Sequence, residues 1–186
     1  MKNYSHELSG FLQESTKYIF FAVMFFSIGI FIGYLYPYLF KGMLDSFGRM
    51  AKRLLQQNMY GLILSIFIRN SLSAFIAVMF GELLAIIPII AALINGILLG
   101  TTISYVNQTM VILGLLPHGI FELPAVFIAW GLGIRRGVWY FQKGPSNYSF
   151  KELRNMSLRI YFNIIMPLLL IAAIIEGLGI TADSMF

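Results

Sequence analysis

The sequence predicts an all-α, multispan transmembrane helical bundle with one proline-broken segment. Three observations carry this. Hydrophobic residues make up 59% of the 186 and charged residues 11%, against roughly 45–50% and about 25% in soluble domains. A soluble fold of this size has too little polar material to cover that much apolar surface. The mean hydropathy is +0.80. The apolar residues also fall into charge-free runs of span length, and one run carries two prolines in LPHGIFELP. No cysteine is present, which excludes thiolate metal sites, thiol catalysis and disulfides.

A span needs about 20 apolar residues. Residues 1–17 are a polar segment; 18–40 are free of charge and form the first span. Residues 41–58 carry Lys41, Arg49, Lys52 and Arg53 against Asp45, a net charge of +3. Apolar Met43, Leu44, Phe47, Met50, Leu54 and Leu55 recur there at helical spacing, which predicts an interfacial amphipathic helix with a basic face. Residues 60–80 are the second span, Gly81-Glu82 a short turn and 83–105 the third span. Residues 109–134 are apolar apart from His118 and Glu122. Residues 135–159 read as a basic loop of net charge +5, and 160–180 as the last span. The whole chain, 1–186, reads as a single integral membrane domain.

Ten of the thirteen Lys and Arg residues lie in 41–58 and 135–159. The positive-inside rule wants both segments in the cytoplasm. That holds if 109–134 is a re-entrant hairpin, with both chain ends outside. If 109–134 crosses once, the chain has five plain spans and the two basic segments stand on opposite sides. The hairpin is the expectation and five spans the alternative. Cysteines placed at Gln57 and Ser146 are expected to label from one face.

The break is expected at Pro117, Gly119 and Pro124. Each proline removes a helical hydrogen bond and disfavours helix at the residue before it. Glycine adds backbone freedom. A helix is then expected to restart at Pro124, with Glu122 beside its positive end.

Charges at bilayer depth cost about 2.5–3.5 kcal/mol each on insertion scales, so they pair or face a wet cavity. A buried polar cluster of His118, Glu122, Arg69, Glu176 and Asn70 is therefore expected. It is either a proton, ion or ligand site, or a structural knot. Glu82 reads as a turn residue. If a metal is bound at all, His118 and Glu122 are its candidates. No HExxH, GxSxG or phosphate loop is present, so no catalytic residue is assigned. Gly29 and Gly33, and Asn95, Gly96 and Gly100, form small-xxx-small stretches suited to close helix packing or self-association.

Three stretches resemble the stage II sporulation protein M family of integral membrane proteins. They are LPHGIFELPAVFIAWGLG at 116–133, Asn95-Gly96 followed by Leu99-Gly100, and PLLLIAAIIEGLG at 167–179. Asn70 is similar to the family's asparagine in the second span. The resemblance runs from about residue 69 to the end. It implies a non-enzymatic scaffold or assembly partner in the cell membrane. In spore formers, it implies a part in septal peptidoglycan degradation and engulfment. Other membrane or cell-envelope proteins are the implied partners, and the lipid bilayer the surroundings. No cofactor and no nucleic acid are expected. The alternative reading is a transporter or channel using the buried polar cluster, and behind it an intramembrane metal-dependent hydrolase.

Overall fold

A computed structural model of the chain describes the backbone of residues 2–106, 108–141 and 148–183, and the side chains of residues 6–106, 119–141 and 148–180. The described residues are almost all helical, with no strand among them. The helices are α1 (Lys2–Leu35), α2 (Pro37–Leu54), α3 (Met59–Met79), α4 (Ile86–Tyr105), α5 (Gln108–Val138), α6 (Phe150–Ile160) and α7 (Met166–Asp183). Among the described residues, four stretches are long and apolar enough to cross a membrane: His6–Leu35, Met59–Glu82, Ile86–Tyr105 and Phe150–Ile180.

The polar N-terminal segment is not separate from the first span. It forms the first turns of α1, and Leu8, Phe11 and Ser15 are buried in the bundle. α1 ends at Leu35, and Pro37 opens α2 at the position where its missing N–H is harmless. α2 has a strongly one-sided apolar face, Lys52 and Arg53 in its last turn, and no buried residue. Asn58 then caps α3, its side chain accepting from the Gly61 N–H at 2.8 Å.

The α3–α4 turn is tight. A 3-10 turn, Phe80–Glu82, leads into Leu84 and Ala85, both at positive φ (55° and 62°). Gly81 lies against Gly133, and Gly137 against the backbone of Ala85 and Gly81, so a methyl on any of these glycines would strike a main chain. This crowding fixes two non-glycine residues in a left-handed conformation.

The contacts give the helix directions. α1 and α4 run parallel, with Gly29 and Gly33 set against Gly96, Ile97 and Thr101. Ser104 Oγ donates to the Tyr34 carbonyl at 2.9 Å near the far end of the same pair. α5 runs antiparallel to α1, with Gly131 against Ile19 and Arg135 beside Phe11 and Ser15. α5 packs on α1, α3, α4 and α7, and residues 129–137 are all buried. It is the central helix. One end of the bundle thus holds α2 and the other holds the α3–α4 turn and α6.

Two sequence expectations are corrected here. Residues 108–138 form one uninterrupted helix, so 109–134 is neither broken at Pro117, Gly119 and Pro124 nor a re-entrant hairpin. Each proline deletes one backbone bond, and neighbouring helices can hold the remaining ladder together. Pro124 sits on the exposed side of α5 and Gly119 on the buried side. The second correction follows: 41–58 and the described residues of 135–159 stand at opposite ends of the bundle. Nor is 135–159 simply a loop. Arg135 and Arg136 belong to α5, and α6 opens with a capping box between Ser149 and Glu152.

α6 and α7 are joined by a π turn, Tyr161–Ile165, where the Met166 N–H reaches the Tyr161 carbonyl. Pro167 follows directly and cannot donate to the Asn163 carbonyl. The widened turn is a local answer to that lost bond.

Candidate functional site

Two polar centres stand out, one in each half of the bundle. The first is a cavity of about 620 Å³ toward the α2 end. Phe47, Leu54 and Leu55 of the α2 region line one side, and Phe26 and Trp130 lie at another. Its polar wall is Arg69, Asn70, Asn95, Thr102, Glu122 and Glu176. Arg69 is about 15 Å along α3 from Met59 at 1.5 Å per residue, which places this wall well inside the apolar length of the bundle.

Asn70 Nδ2 donates to Glu122 Oε1 at 3.1 Å. Glu122 is half-buried and lies within electrostatic reach of both Glu176 and Arg69. The Arg69 guanidinium is 5.3 Å from the Phe47 ring centre, a cation–π distance that ties α3 to α2. Asn95 Nδ2 donates to the Ala91 carbonyl at 2.8 Å, and Thr102 Oγ1 to the Leu98 carbonyl at 2.8 Å. Their remaining oxygen lone pairs are acceptors.

The structure therefore brings Arg69, Asn70, Glu122 and Glu176 to one cavity, together with Asn95, which the sequence suggested only for packing. The side chains of Pro117 and His118 lie outside the described residues. Gly29, Gly33, Gly96 and Gly100 form the α1–α4 seam, where a Cβ on Gly29 would lie 3.1 Å from the Gly96 Cα. Among the described residues, no group of three or more His, Asp or Glu side chains could hold a metal ion.

The second centre, at the α3–α4 turn, was missed by sequence reasoning. Arg136 is the largest fully buried side chain. Its Nη1 donates to the carbonyls of Val78 (2.6 Å) and Met79 (3.0 Å), and its Nη2 pairs with Glu82 at 3.1 Å. Those carbonyls belong to the last turn of α3, where the helix has no acceptor partners of its own. Arg136 is thus a tertiary C-cap for α3 supplied by α5, with its charge at the favourable pole of that helix. Its Nε has no partner.

Arg135 performs the matching task on the other side of α5. Its Nη1 donates to the Phe11 carbonyl (3.0 Å) and to Ser15 Oγ (2.7 Å). Its Nη2 pairs with Glu14 at 2.8 Å. The guanidinium lies 4.2 Å from the Phe11 ring centre and 5.2 Å from that of Tyr148. The Tyr148 phenol is held above its ordinary range, first by desolvation and then by the Glu14 charge. Arg159 and Glu7 add a looser, exposed pair at 3.5 Å. Glu82 is thus more than a turn residue. A legible signal existed in Gly133-Ile-Arg-Arg-Gly137, small residues that let two helices close around an arginine pair.

Compared with known proteins, the chain finds no match among curated proteins and none among solved structures. A family model does match: stage II sporulation protein M, over residues 22–179. That range starts inside α1, well before the resemblance at residue 69, and takes in the cavity residues, Arg135, Arg136 and Glu82, and most of α7. With most of its length matched and its long apolar helices in place, the chain is an integral membrane protein that belongs to the stage II sporulation protein M family.

Proposed function

We propose that this protein is a non-enzymatic, multi-pass scaffold of the cell membrane, an assembly partner for other cell-envelope proteins. The observation that carries the reading is the sealed half of the bundle. Residues 129–137 of α5 are all buried, and the turn glycines and two arginines fill the space around them. The polar cavity lies on the α2 side of this buried stretch, with Trp130 belonging to both, which supports the scaffold reading over a through-pore. Rigid bundles with tied ends are suited to holding partners at a fixed place. In a spore former, the partners would be the septal enzymes that degrade peptidoglycan.

The test is site-specific photo-cross-linking in native membranes, from exposed positions on α2 and on the lipid-facing stripe of α3 (Leu64, Ile68, Leu72). Discrete protein adducts at one face support the scaffold. Lipid adducts only, at every position, speak against it.

A second reading, transport, is favoured by one observation. A charged cavity lined toward one end and sealed toward the other is the shape of one state in an alternating-access cycle. Solute flux above the lipid background in proteoliposomes, abolished when Arg69, Glu122 and Glu176 are replaced together by apolar residues, would move the assignment there.

A further inference from the structure

α2 gathers its charge on one side. At helical spacing Lys41, Asp45, Arg49, Lys52 and Arg53 fall on one arc, and Phe47, Ala51 and Leu54 on the opposite one. Phe47, Ala51 and Leu54 line the cavity, so their arc turns toward the bundle. The four cations and Asp45 are exposed. On one flank of the basic arc the apolar Leu39 and Met50 are exposed as well. No residue of α2 is buried, so the helix lies on the bundle rather than within it.

The cations at the two ends of the bundle are placed differently. At the α6 end Arg135, Arg136 and Arg159 pair with Glu14, Glu82 and Glu7. Among the described residues, none of the four α2 cations is in an ion pair. Arg49 Nη2 donates at 2.8 Å to Ser46 Oγ, a neutral acceptor. Asp45 is the one carboxylate in 41–58. Cations one turn apart on a helix repel, so this arc favours an anion laid across it. In a membrane protein, phospholipid headgroups are always within reach of such a helix. The flank points the same way. A soluble anion would leave Leu39 and Met50 in water, whereas a bilayer takes them among its acyl chains while the cations stay at phosphate level.

We infer that the outer arc of α2 is a binding face for anionic phospholipids, with Lys41, Arg49, Lys52 and Arg53 at the phosphates and Leu39 and Met50 among the upper acyl carbons. A cluster of about four Lys and Arg on an amphipathic helix suffices for such selectivity. The face enriches acidic lipid around one end of the bundle. It goes beyond both functional readings, since it needs neither partner assembly nor flux.

The experiment uses the full chain reconstituted in phosphatidylcholine vesicles. Gly42 stands in the basic arc with nothing within 4 Å of an added Cβ, and the chain has no cysteine. Gly42→Cys therefore carries a single bimane label. Vesicles contain a rising fraction of phosphatidylglycerol spin-labelled near its glycerol, or of phosphatidylcholine labelled at the same place, since a nitroxide quenches bimane only at close range. Phosphatidylglycerol should quench at a several-fold lower fraction, and added salt should shrink that preference. Lys41→Gln, Arg49→Gln, Lys52→Gln and Arg53→Gln should each lower the preference, by up to about fivefold. Asp45→Asn should raise it, and Lys151→Gln on α6 should leave it unchanged. Circular dichroism checks the fold of each variant; where one fails to fold, the other three carry the readout. Equal quenching by the two lipids, a preference indifferent to salt, or one that survives all four substitutions overturns the inference. Relief of quenching by excess inorganic phosphate would assign the arc to a soluble anion and overturn it too. So would protein adducts from a photo-cross-linker at Lys52 in native membranes without any lipid preference in vesicles, which would assign the arc to an acidic protein.

Discussion

Arg136 of α5 and Glu82 of the α3–α4 turn pair at 3.1 Å, the arginine side chain fully enclosed and the carboxylate 41% exposed. The pair is lopsided: one partner has given up all its water, the other only part. That asymmetry sets what each substitution does. Glu82→Ala leaves a buried cation short of its counter-charge, which typically costs about 3–5 kcal/mol. Arg136→Met leaves a carboxylate that can turn to solvent, and two uncapped carbonyls, at a smaller loss. Thermal unfolding in detergent should rank Glu82→Ala below Arg136→Met. The double variant should be less damaged than the sum. Strict additivity would mean that the two groups are not coupled.

The helix directions predict opposite sidedness for the two basic segments. The chain lacks cysteine, so single cysteines at Gln57 and Lys151 report cleanly. A membrane-impermeant thiol reagent should label them from opposite faces. The α3–α4 turn end carries the larger share of Lys and Arg, including Lys17, Arg135, Arg136, Lys151, Arg154 and Arg159, so Lys151 is expected to face the cytoplasm. Labelling from one face would restore the hairpin.

Glycine substitutions should separate into two classes. An added methyl at Gly96 meets the Phe26 carbonyl, and at Gly133 the Ala77 carbonyl. Both are backbone and cannot step aside, so Gly96→Ala and Gly133→Ala should each cost about 1–3 kcal/mol. Gly42 in α2 has nothing within 4 Å. Gly42→Ala should be neutral or stabilise by about 0.5–1 kcal/mol through helix propensity. Melting temperatures of the three variants check this directly.

Asn70→Ala removes the donor to Glu122 while leaving the carboxylate beside Arg69. A net loss of about 1–3 kcal/mol is expected, since this hydrogen bond has a charged acceptor. Glu122→Gln keeps an acceptor for Asn70 and should lose less. Unfolding curves in which Glu122→Gln is the more damaging of the two would show that the charge, not the hydrogen bond, holds the site together.

Much of this was legible in residue order. Charge-free runs signalled long apolar helices, but not their bounds: the first, expected at 18–40, is α1 over Lys2–Leu35, because its polar opening turns also pack into the bundle; the basic amphipathic α2 followed from its periodicity. Arg69, Asn70, Glu122 and Glu176 could be singled out because charge is rare in apolar helices, and the cavity does collect them. Two things were hidden for physical reasons. Proline deletes a local bond, but whether a helix survives the deletion is decided by neighbours far away in sequence, and α5 is enclosed by four helices. Arg135 and Arg136 looked like free loop charges because their partners, Glu14 and Glu82, come from other parts of the chain.

The parallel seam of α1 and α4 has a consequence for biogenesis. Helices enter a membrane in chain order, and Gly29 and Gly33 are made well before Gly96 and Gly100. The first helix must therefore wait in lipid, its glycine face unmatched, while α2 and α3 are laid down. A close backbone contact between the two helices then forms across that gap. A chaperone or insertase able to shield a glycine stripe would act at this step. Truncation after α3 should leave α1 inserted yet orphaned and exposed to membrane quality control.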